Sequence, residues 1–184
     1  MSKLYVFLAT GFEECEALGT IDVCRRAGME VTTVSTTDDL AVMGAHNVQI
    51  IADAMFDEPD YAAADILFLP GGMPGATNLL SHQGLCEVIR SHHAAGKMLA
   101  AICAAPLVYG RLGLLAGHKA TCYPGFEPQL QGATPTGTLV ECDGQFITGK
   151  GPGAAFEMGF AIVSHFCGNA AADTLRKGMI CDNA

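Results

Sequence analysis

Cys103 lies where the sequence changes from a short apolar run with strand character, residues 97–102, to a segment typical of a helix. A strand that turns sharply into a helix lifts a nucleophile off the sheet, and small neighbours such as Ala101 and Ala105 permit that turn. Pro106 fits the first helical turn, so that backbone N–H groups and the positive helix end would face the sulfur and favour its thiolate. The alternative is a buried structural cysteine at a strand end.

The elements around Cys103 alternate between strands and helices. Continuous apolar or β-branched runs predict buried strands at residues 4–9, 30–35, 65–69 and 97–102. Amphipathic or capped segments predict helices at residues 13–28, 85–95, 107–115, 154–166 and 169–179. In the fourth helix we expect Phe156, Phe160, Ile162 and Val163 to be buried. The pattern predicts an α/β sandwich with a mainly parallel sheet.

The segments between these elements are shorter or less regular. Residues 47–52 are compatible with an edge strand, residues 119–123 with a short strand, and residues 138–149 with a hairpin. A loop with three glycines, residues 70–75, follows the third strand. Ligands gather at the carboxyl edge of open α/β sheets, where this loop and Cys103 would both lie.

Composition restricts the class of protein. The chain has 184 residues, half of them hydrophobic, and shows no repeat or linker, so one domain spanning residues 1–184 is expected. A net charge of −9, with scattered basic residues, argues against nucleic acid and anionic membranes as partners. No leader or membrane span is apparent, and eight cysteines without a C-x-x-C pair are typical of reduced thiols, so we expect a cytoplasmic protein. Histidine spacing predicts no metal site, and the absence of phosphate or dinucleotide loops predicts no cofactor.

Several motifs together resemble the ThiJ/PfpI superfamily, in the branch that holds the Parkinson-associated protein DJ-one and bacterial YajL. They are Gly11-Phe12-Glu13-Glu14-Cys15-Glu16, Arg25-Arg26-Ala27-Gly28, Leu69-Pro70-Gly71-Gly72, Ala100-Ala101-Ile102-Cys103-Ala104-Ala105-Pro106 and Gly151-Pro152-Gly153. The resemblance covers nearly the whole chain. It implies a flavodoxin-like three-layer sandwich with a nucleophile elbow, and a homodimer.

The resemblance also implies roles for individual residues. Cys103 is expected to be the nucleophile and redox centre, Glu16 the carboxyl group beside it, and the backbone N–H groups of Gly72 and Ala104 an anion pocket. Burial and like charge would keep Glu16 protonated, so that it donates a hydrogen bond to sulfur and moves a proton to or from substrate. The alternative for Glu16 is a solvated acid at a helix start, like Glu13.

One departure from the family pattern concerns the histidine that often follows the nucleophile helix, because Tyr123 occupies that position. A Cys-His dyad therefore cannot be transferred. Tyr123, His46 and Arg26 are candidate accessory residues. We hypothesise that His46 replaces the missing imidazole across a dimer interface, the alternative being a surface loop histidine.

Two classes of function compete. The first is a cofactor-independent, cysteine-dependent enzyme, a glyoxalase or deglycase of hydrolase or lyase type, that acts on methylglyoxal and glycated adducts and is linked to oxidative stress. The second is a redox sensor or chaperone whose Cys103 is oxidised selectively. A cysteine peptidase or amidase ranks last, because the missing histidine leaves leaving-group protonation unassigned.

Overall fold

The computed structural model describes residues 1–181, and a seven-stranded sheet forms its centre. The strands are β1 (Lys3–Leu8), β2 (Glu30–Ser35), β3 (Ala41–Met43), β4 (Gln49–Ile51), β5 (Ala54–Met55), β6 (Ile66–Leu69), β7 (Met98–Ile102), β8 (Lys119–Ala120), β9 (Thr134–Pro135), β10 (Val140–Asp143) and β11 (Phe146–Gly149). The sheet order is β10-β11-β7-β6-β1-β2-β5. Within this seven-stranded sheet of residues 1–181, only the β10–β11 pair is antiparallel, which confirms the predicted hairpin and the mainly parallel sheet.

Helices cover both faces of this sheet. They are α1 (Glu14–Arg26), α2 (Gly75–Ser81), α3 (Gln83–Ala94), α4 (Pro106–Arg111), α5 (Ala155–Cys167) and α6 (Asn169–Gly178), with single 3-10 turns at Tyr61–Ala63, Glu127–Gln129 and Pro152–Ala154. The chain crosses from β1 to β2 in one direction along the sheet and from β6 to β7 in the other. Because such crossovers are right-handed, α1 covers one face and α2 and α3 the other. The result is the flavodoxin-like three-layer sandwich.

The burial of the central strands explains why apolar runs in the sequence predicted them well. All residues of β6 and β7 are buried, as is β1 beyond its first residue. A strand that is covered on both faces needs apolar side chains at every position rather than at alternate ones. Within residues 1–181, no helix combines the length and the apolar character that crossing a bilayer requires.

Three local expectations were wrong, and one helix was not predicted. The segment at residues 47–52 forms no edge of the main sheet, because β4 pairs with β3 in a separate hairpin and β5 takes the edge. Only two residues of 119–123 form a strand, and they pair with β9. Helix α2 was not predicted, since it begins directly after Pro74 in a glycine-rich loop. Phe156, in the first turn of α5, is 47% exposed, whereas Phe160, Ile162 and Val163 are buried as expected.

Candidate active site

Cys103 lies in the three-residue turn between β7 and α4, as expected for a strand-to-helix elbow. Its φ of 63° falls in the left-handed region, which few residues other than glycine adopt. Two backbone hydrogen bonds hold it there: its N–H donates to the Gly149 carbonyl at 2.9 Å, and its carbonyl accepts from the Tyr123 N–H at 2.8 Å. Pro106 is the first residue of α4. The neighbouring segments therefore fix the direction of the side chain.

Glu16 lies against the Cys103 side chain, and its position depends on Gly71. The Gly71 N–H donates to Glu16 Oε2 at 2.8 Å, and the Glu16 and Cys103 side chains share a hydrogen bond. A Cβ on Gly71 would come within 2.6 Å of the Cys103 Cβ and 2.7 Å of Glu16 Oε2. Glu16 is fully buried, so the solvated-acid alternative is wrong. Its Oε1 accepts no N–H or O–H in the described part of the chain and is the oxygen left to carry a proton.

Burial controls the protonation of this pair. It raises the pKa of Glu16 to about 7, in the direction expected from the sequence. Burial and the negative charge of Glu16 also raise the pKa of the Cys103 thiol to about 12, so the expected preference for thiolate is wrong while Glu16 is ionised. Near neutral pH the thiol therefore keeps its proton beside an ionised Glu16, whose carboxylate is placed to accept that proton as the sulfur reacts.

Two backbone N–H groups oppose this rise in the thiol pKa. Gly72 and Ala104 both donate toward the Cys103 sulfur, and these hydrogen bonds stabilise its ionised form. Gly72 has a φ of 84°, and a Cβ there would come within 2.5 Å of the Glu13 nitrogen and the Gly11 oxygen. The structure thus brings the predicted N–H pair to the sulfur, where it could also receive an oxyanion.

An open cavity of about 550 Å³ gives access to Cys103. Its lining comprises Glu13, Cys15, His46, Gly72, Met73, Cys103, Ala104, Tyr123, Phe126 and Pro152. These residues come from the segments that follow β1, β6, β7, β8 and β11, together with the loop between β3 and β4. The site is built at the carboxyl edge of the sheet, as expected for this fold class.

The structure places the three candidate accessory residues in different positions relative to the cavity. Tyr123 lines the cavity and is 47% exposed. His46 lines the cavity of its own chain, whereas our hypothesis placed it in a partner's. Arg26 pairs with Asp22 at the far end of α1, ten residues from Glu16. That separation is about 15 Å along a helix, so Arg26 is not a site residue.

Glu14 holds His46 at the cavity rim. Glu14 Oε1 accepts from the backbone N–H groups of His46 and Val48 at 2.7 and 3.3 Å, and Oε2 lies 3.0 Å from His46 Nδ1. Burial raises the pKa of Glu14, but hydrogen bonds from backbone N–H groups and from the His46 side chain lower it by more, and the net pKa is lowered. The hydrogen bond to Glu14 raises the pKa of His46. Glu13 Oε1 also lies 3.5 Å from Nδ1. Among the described residues, these three could supply one ligand atom each to a metal ion, although hydrogen bonds already occupy both oxygens of Glu14.

Sequence reasoning missed part of the cavity wall and the role of Glu14. Met73, Phe126 and Pro152 carry no reactive group, so residue type alone did not single them out. The positions of Met73 and Pro152 did contain a signal, because they follow β6 and β11, whose carboxyl ends lie at the edge of the main sheet where Cys103 was expected.

Comparison with known proteins agrees with this geometry. The sequence model of the DJ-1/PfpI family matches residues 2–165. Protein dj-1beta of Drosophila melanogaster is 35% identical over 184 residues, which cover 98% of each chain. Protein DJ-1 homolog B of Arabidopsis thaliana is 37% identical over 168 residues, which cover 90% of this chain and 38% of that protein. The chain thus spans about two fifths of the length of the Arabidopsis relatives that it matches.

One relative carries an activity in its name, and one solved structure has the same fold. The glutathione-independent glyoxalase DJR-1.2 of Caenorhabditis elegans is 29% identical over 167 residues, covering 90% of this chain and 88% of that protein. The structure described as Toxoplasma gondii DJ-1, oxidized, superposes with a TM-score of 0.94 at 32% identity and covers 98% of both chains. These similarities concern fold and lineage.

Proposed function

We propose that this chain, which belongs to the DJ-1/PfpI family, is a cysteine-dependent glyoxalase that works without a cofactor. It converts methylglyoxal to lactate and releases related early adducts from glycated groups. The observation that carries the proposal is the buried pair of Glu16 and Cys103 beside two backbone N–H groups at the floor of an open cavity. That the family includes a glyoxalase supports it.

The first step moves the thiol proton. As sulfur attacks the aldehyde carbon, Glu16 takes the thiol proton, and the N–H groups of Gly72 and Ala104 stabilise the negative charge on the aldehyde oxygen. Glu16 then returns the proton to that oxygen. The product is a hemithioacetal, and the carboxylate is regenerated.

The second step is an internal proton transfer. The Glu16 carboxylate removes the hydrogen on C1 as a proton and carries it to the C2 oxygen, which gives an enediol. The enediol rearranges, with its C1 hydroxyl proton moving to C2, into a lactoyl thioester of Cys103. One water then hydrolyses the thioester, and lactate leaves as the thiol re-forms. The sum is methylglyoxal plus water giving lactate, with no external oxidant.

The test is lactate formation from methylglyoxal by wild type and Cys103→Ser. We expect Cys103→Ser to lose detectable turnover, while Cys15→Ser, which changes another thiol in the same cavity, retains it. Full activity in Cys103→Ser would falsify the proposed function. The same pair of variants tests release of early adducts from a glycated peptide.

A second candidate function, redox sensing, is favoured by the surroundings of the sulfur. A sulfinate at Cys103 would receive the same two N–H groups and a hydrogen bond from protonated Glu16. Two equivalents of peroxide would supply the two oxygens and leave as water. Selective addition of two oxygens to Cys103, measured by peptide mass, is the expected result, whereas oxidation spread over all eight cysteines would contradict sensing.

We also place this chemistry in a cytoplasmic homodimer. The eight cysteines are free, which suits a reducing compartment. Large apolar side chains on three neighbouring segments are exposed, namely Leu18, Val48 and Phe156. Such a surface is typical of a protein interface.

A further inference from the structure

The cavity next to Cys103 is larger than methylglyoxal requires. Its volume of about 550 Å³ lies within the range of pockets that hold drug-sized ligands. Methylglyoxal offers only a methyl group beside its carbonyls. Space therefore remains next to the sulfur for a larger substituent.

One wall of this cavity is apolar and fixed relative to the sulfur. Met73 follows Gly72, whose N–H points at Cys103. Tyr123 is tied to the Cys103 carbonyl through its own N–H, and the Phe126 N–H donates to the Tyr123 carbonyl at 3.0 Å. Phe126 is half-buried and packs against the core. Two aromatic rings and a thioether are favourable contacts for another aromatic group.

The site also has acidic groups. Glu13 is a lining residue of the cavity, and Glu16 shares a hydrogen bond with the Cys103 side chain. The lining contains no lysine or arginine, and its only histidine, His46, is already paired with Glu14. A substrate with a negative charge would meet the Glu13 and Glu16 carboxylates. The one histidine of the lining is shared between Glu13 and Glu14 and offsets only part of that charge, which lowers the affinity for such a substrate.

From the apolar and aromatic lining residues and from the carboxylates of the site, we infer that it selects uncharged 2-oxoaldehydes with an aromatic or bulky apolar substituent. The site discriminates against anionic 2-oxoaldehydes. The inference rests on the proposed function and assigns its substrate class. The reaction is the same isomerisation and hydrolysis, so an aryl 2-oxoaldehyde plus water gives an aryl 2-hydroxy acid. Phe126 and Met73 determine the preference for the substituent, and Glu13 the preference for charge.

Three substrates test the inference on the full chain: methylglyoxal, phenylglyoxal and 4-carboxyphenylglyoxal, which adds a charge to phenylglyoxal at nearly the same size. We expect kcat/KM to be highest for phenylglyoxal. Phe126→Ala should lower the phenylglyoxal-to-methylglyoxal ratio about tenfold. Phe166→Ala, which truncates a half-buried phenylalanine outside the cavity, should leave it unchanged. Glu13→Gln should reduce the discrimination against 4-carboxyphenylglyoxal about threefold.

The inference is overturned if methylglyoxal is the best substrate, if the carboxylated compound is turned over as well as phenylglyoxal, or if Phe126→Ala leaves the ratios unchanged. A wild type that turns over none of the three refutes the proposed function instead. In that case the charge preference is read from alkylation of Cys103 by iodoacetamide and iodoacetate, each corrected by its rate with glutathione. Faster reaction of the uncharged reagent, with the difference reduced in Glu13→Gln, supports the charge preference; equal corrected rates contradict it.

Discussion

At the scale of single residues, Glu16 ionises near neutral pH while the Cys103 thiol beside it keeps its proton. Burial raises the pKa of the carboxyl group to about 7, and the thiol stays protonated beside an ionised Glu16. The thiol can therefore become a nucleophile only as its proton moves to the carboxylate. In the proposed mechanism, Glu16 both keeps the resting sulfur protonated and accepts its proton during turnover.

Substitution of Glu16 should separate these two effects. In Glu16→Gln the negative charge beside sulfur is gone, so the pKa of the Cys103 thiol falls and iodoacetamide alkylates it at lower pH than in wild type. Turnover of methylglyoxal should nevertheless fall by about 10²- to 10⁴-fold, because the proton carrier is missing. Glu30→Gln, an exposed surface change, serves as the control. An alkylation midpoint that stays constant or rises would contradict the electrostatic role of Glu16.

The raised pKa of Glu16 also makes folding stability depend on pH. Since the folded-state value of about 7 exceeds the ordinary value of 4.5, the folded state binds more protons between these pH values. The stabilisation is complete below pH 4.5 and is lost as pH rises through 7. Relative to Glu16→Gln, the wild type should lose up to about 3 kcal/mol of unfolding free energy between pH 5 and pH 8. Urea denaturation of both proteins at the two pH values measures it, and a constant difference would argue against the shift.

Much of the residue-scale site could be predicted because its chemistry is unusual for its sequence position. Cys103 stands out because it ends an apolar strand. Glu16 was identified through the family resemblance, because Glu13 and Glu14 lie at the same helix start and chemistry alone does not distinguish them. The apolar wall could not be predicted in this way, since Met73 and Phe126 resemble any core residue until the loops that carry them are placed in space. The side on which His46 acts depended on the path of an irregular loop.

At the scale of elements, the segment after β6 joins Glu16 to Cys103. Gly71 leaves the space in which the two side chains meet, and its N–H orients the carboxylate. The sequence located this loop correctly, because a buried strand followed by prolines and glycines is easily recognised. The sequence did not predict α2, which begins at the end of this loop, because a run of prolines and glycines is typical of a turn.

A methyl group at Gly71 should therefore disrupt the site. In Gly71→Ala the added carbon would lie within 2.8 Å of the Ile102 carbonyl and closer still to Cys103 and Glu16, so the side chains must separate. We expect turnover to fall at least as much as in Glu16→Gln, with a loss of about 1–3 kcal/mol in stability. Gly153→Ala is the matched control, because its Cβ would meet nothing within 4 Å. Similar activity in the two variants would show that the close approach at Gly71 is dispensable.

The irregular region between β2 and β6 shows where local pattern ceases to determine structure. A period-two or apolar pattern identifies a strand but not its partner. Hydrogen bonds from Gly11 to the Met43 carbonyl and from Ala45 to the Phe12 carbonyl turn the β3–β4 hairpin toward the start of α1. The hairpin therefore contributes to the cavity instead of extending the sheet.

At the scale of the whole molecule, the negative net charge opposes self-association and the exposed apolar side chains favour it. The net charge is −9, so two copies repel each other at long range unless apolar contacts compensate. Leu18 lies on α1 next to Gly19, whose Cβ position is 3.7 Å from the Phe156 ring. Val48 is held near the same helix by its hydrogen bond to Glu14. The three side chains thus flank the first turns of α1, which also carry Glu16.

An interface formed by these three side chains should be weakened by one added charge. We expect wild type to sediment as a dimer and Leu18→Asp to shift toward monomer, because each partner would bury a carboxylate without a counter-ion. Leu139→Asp introduces the same charge at a similarly exposed leucine and should leave the dimer intact. Sedimentation velocity over a concentration series measures both. Since these side chains flank the first turns of α1, which carry Glu16, methylglyoxal turnover per chain should fall as Leu18→Asp dissociates, and unchanged sedimentation would exclude this face as the interface.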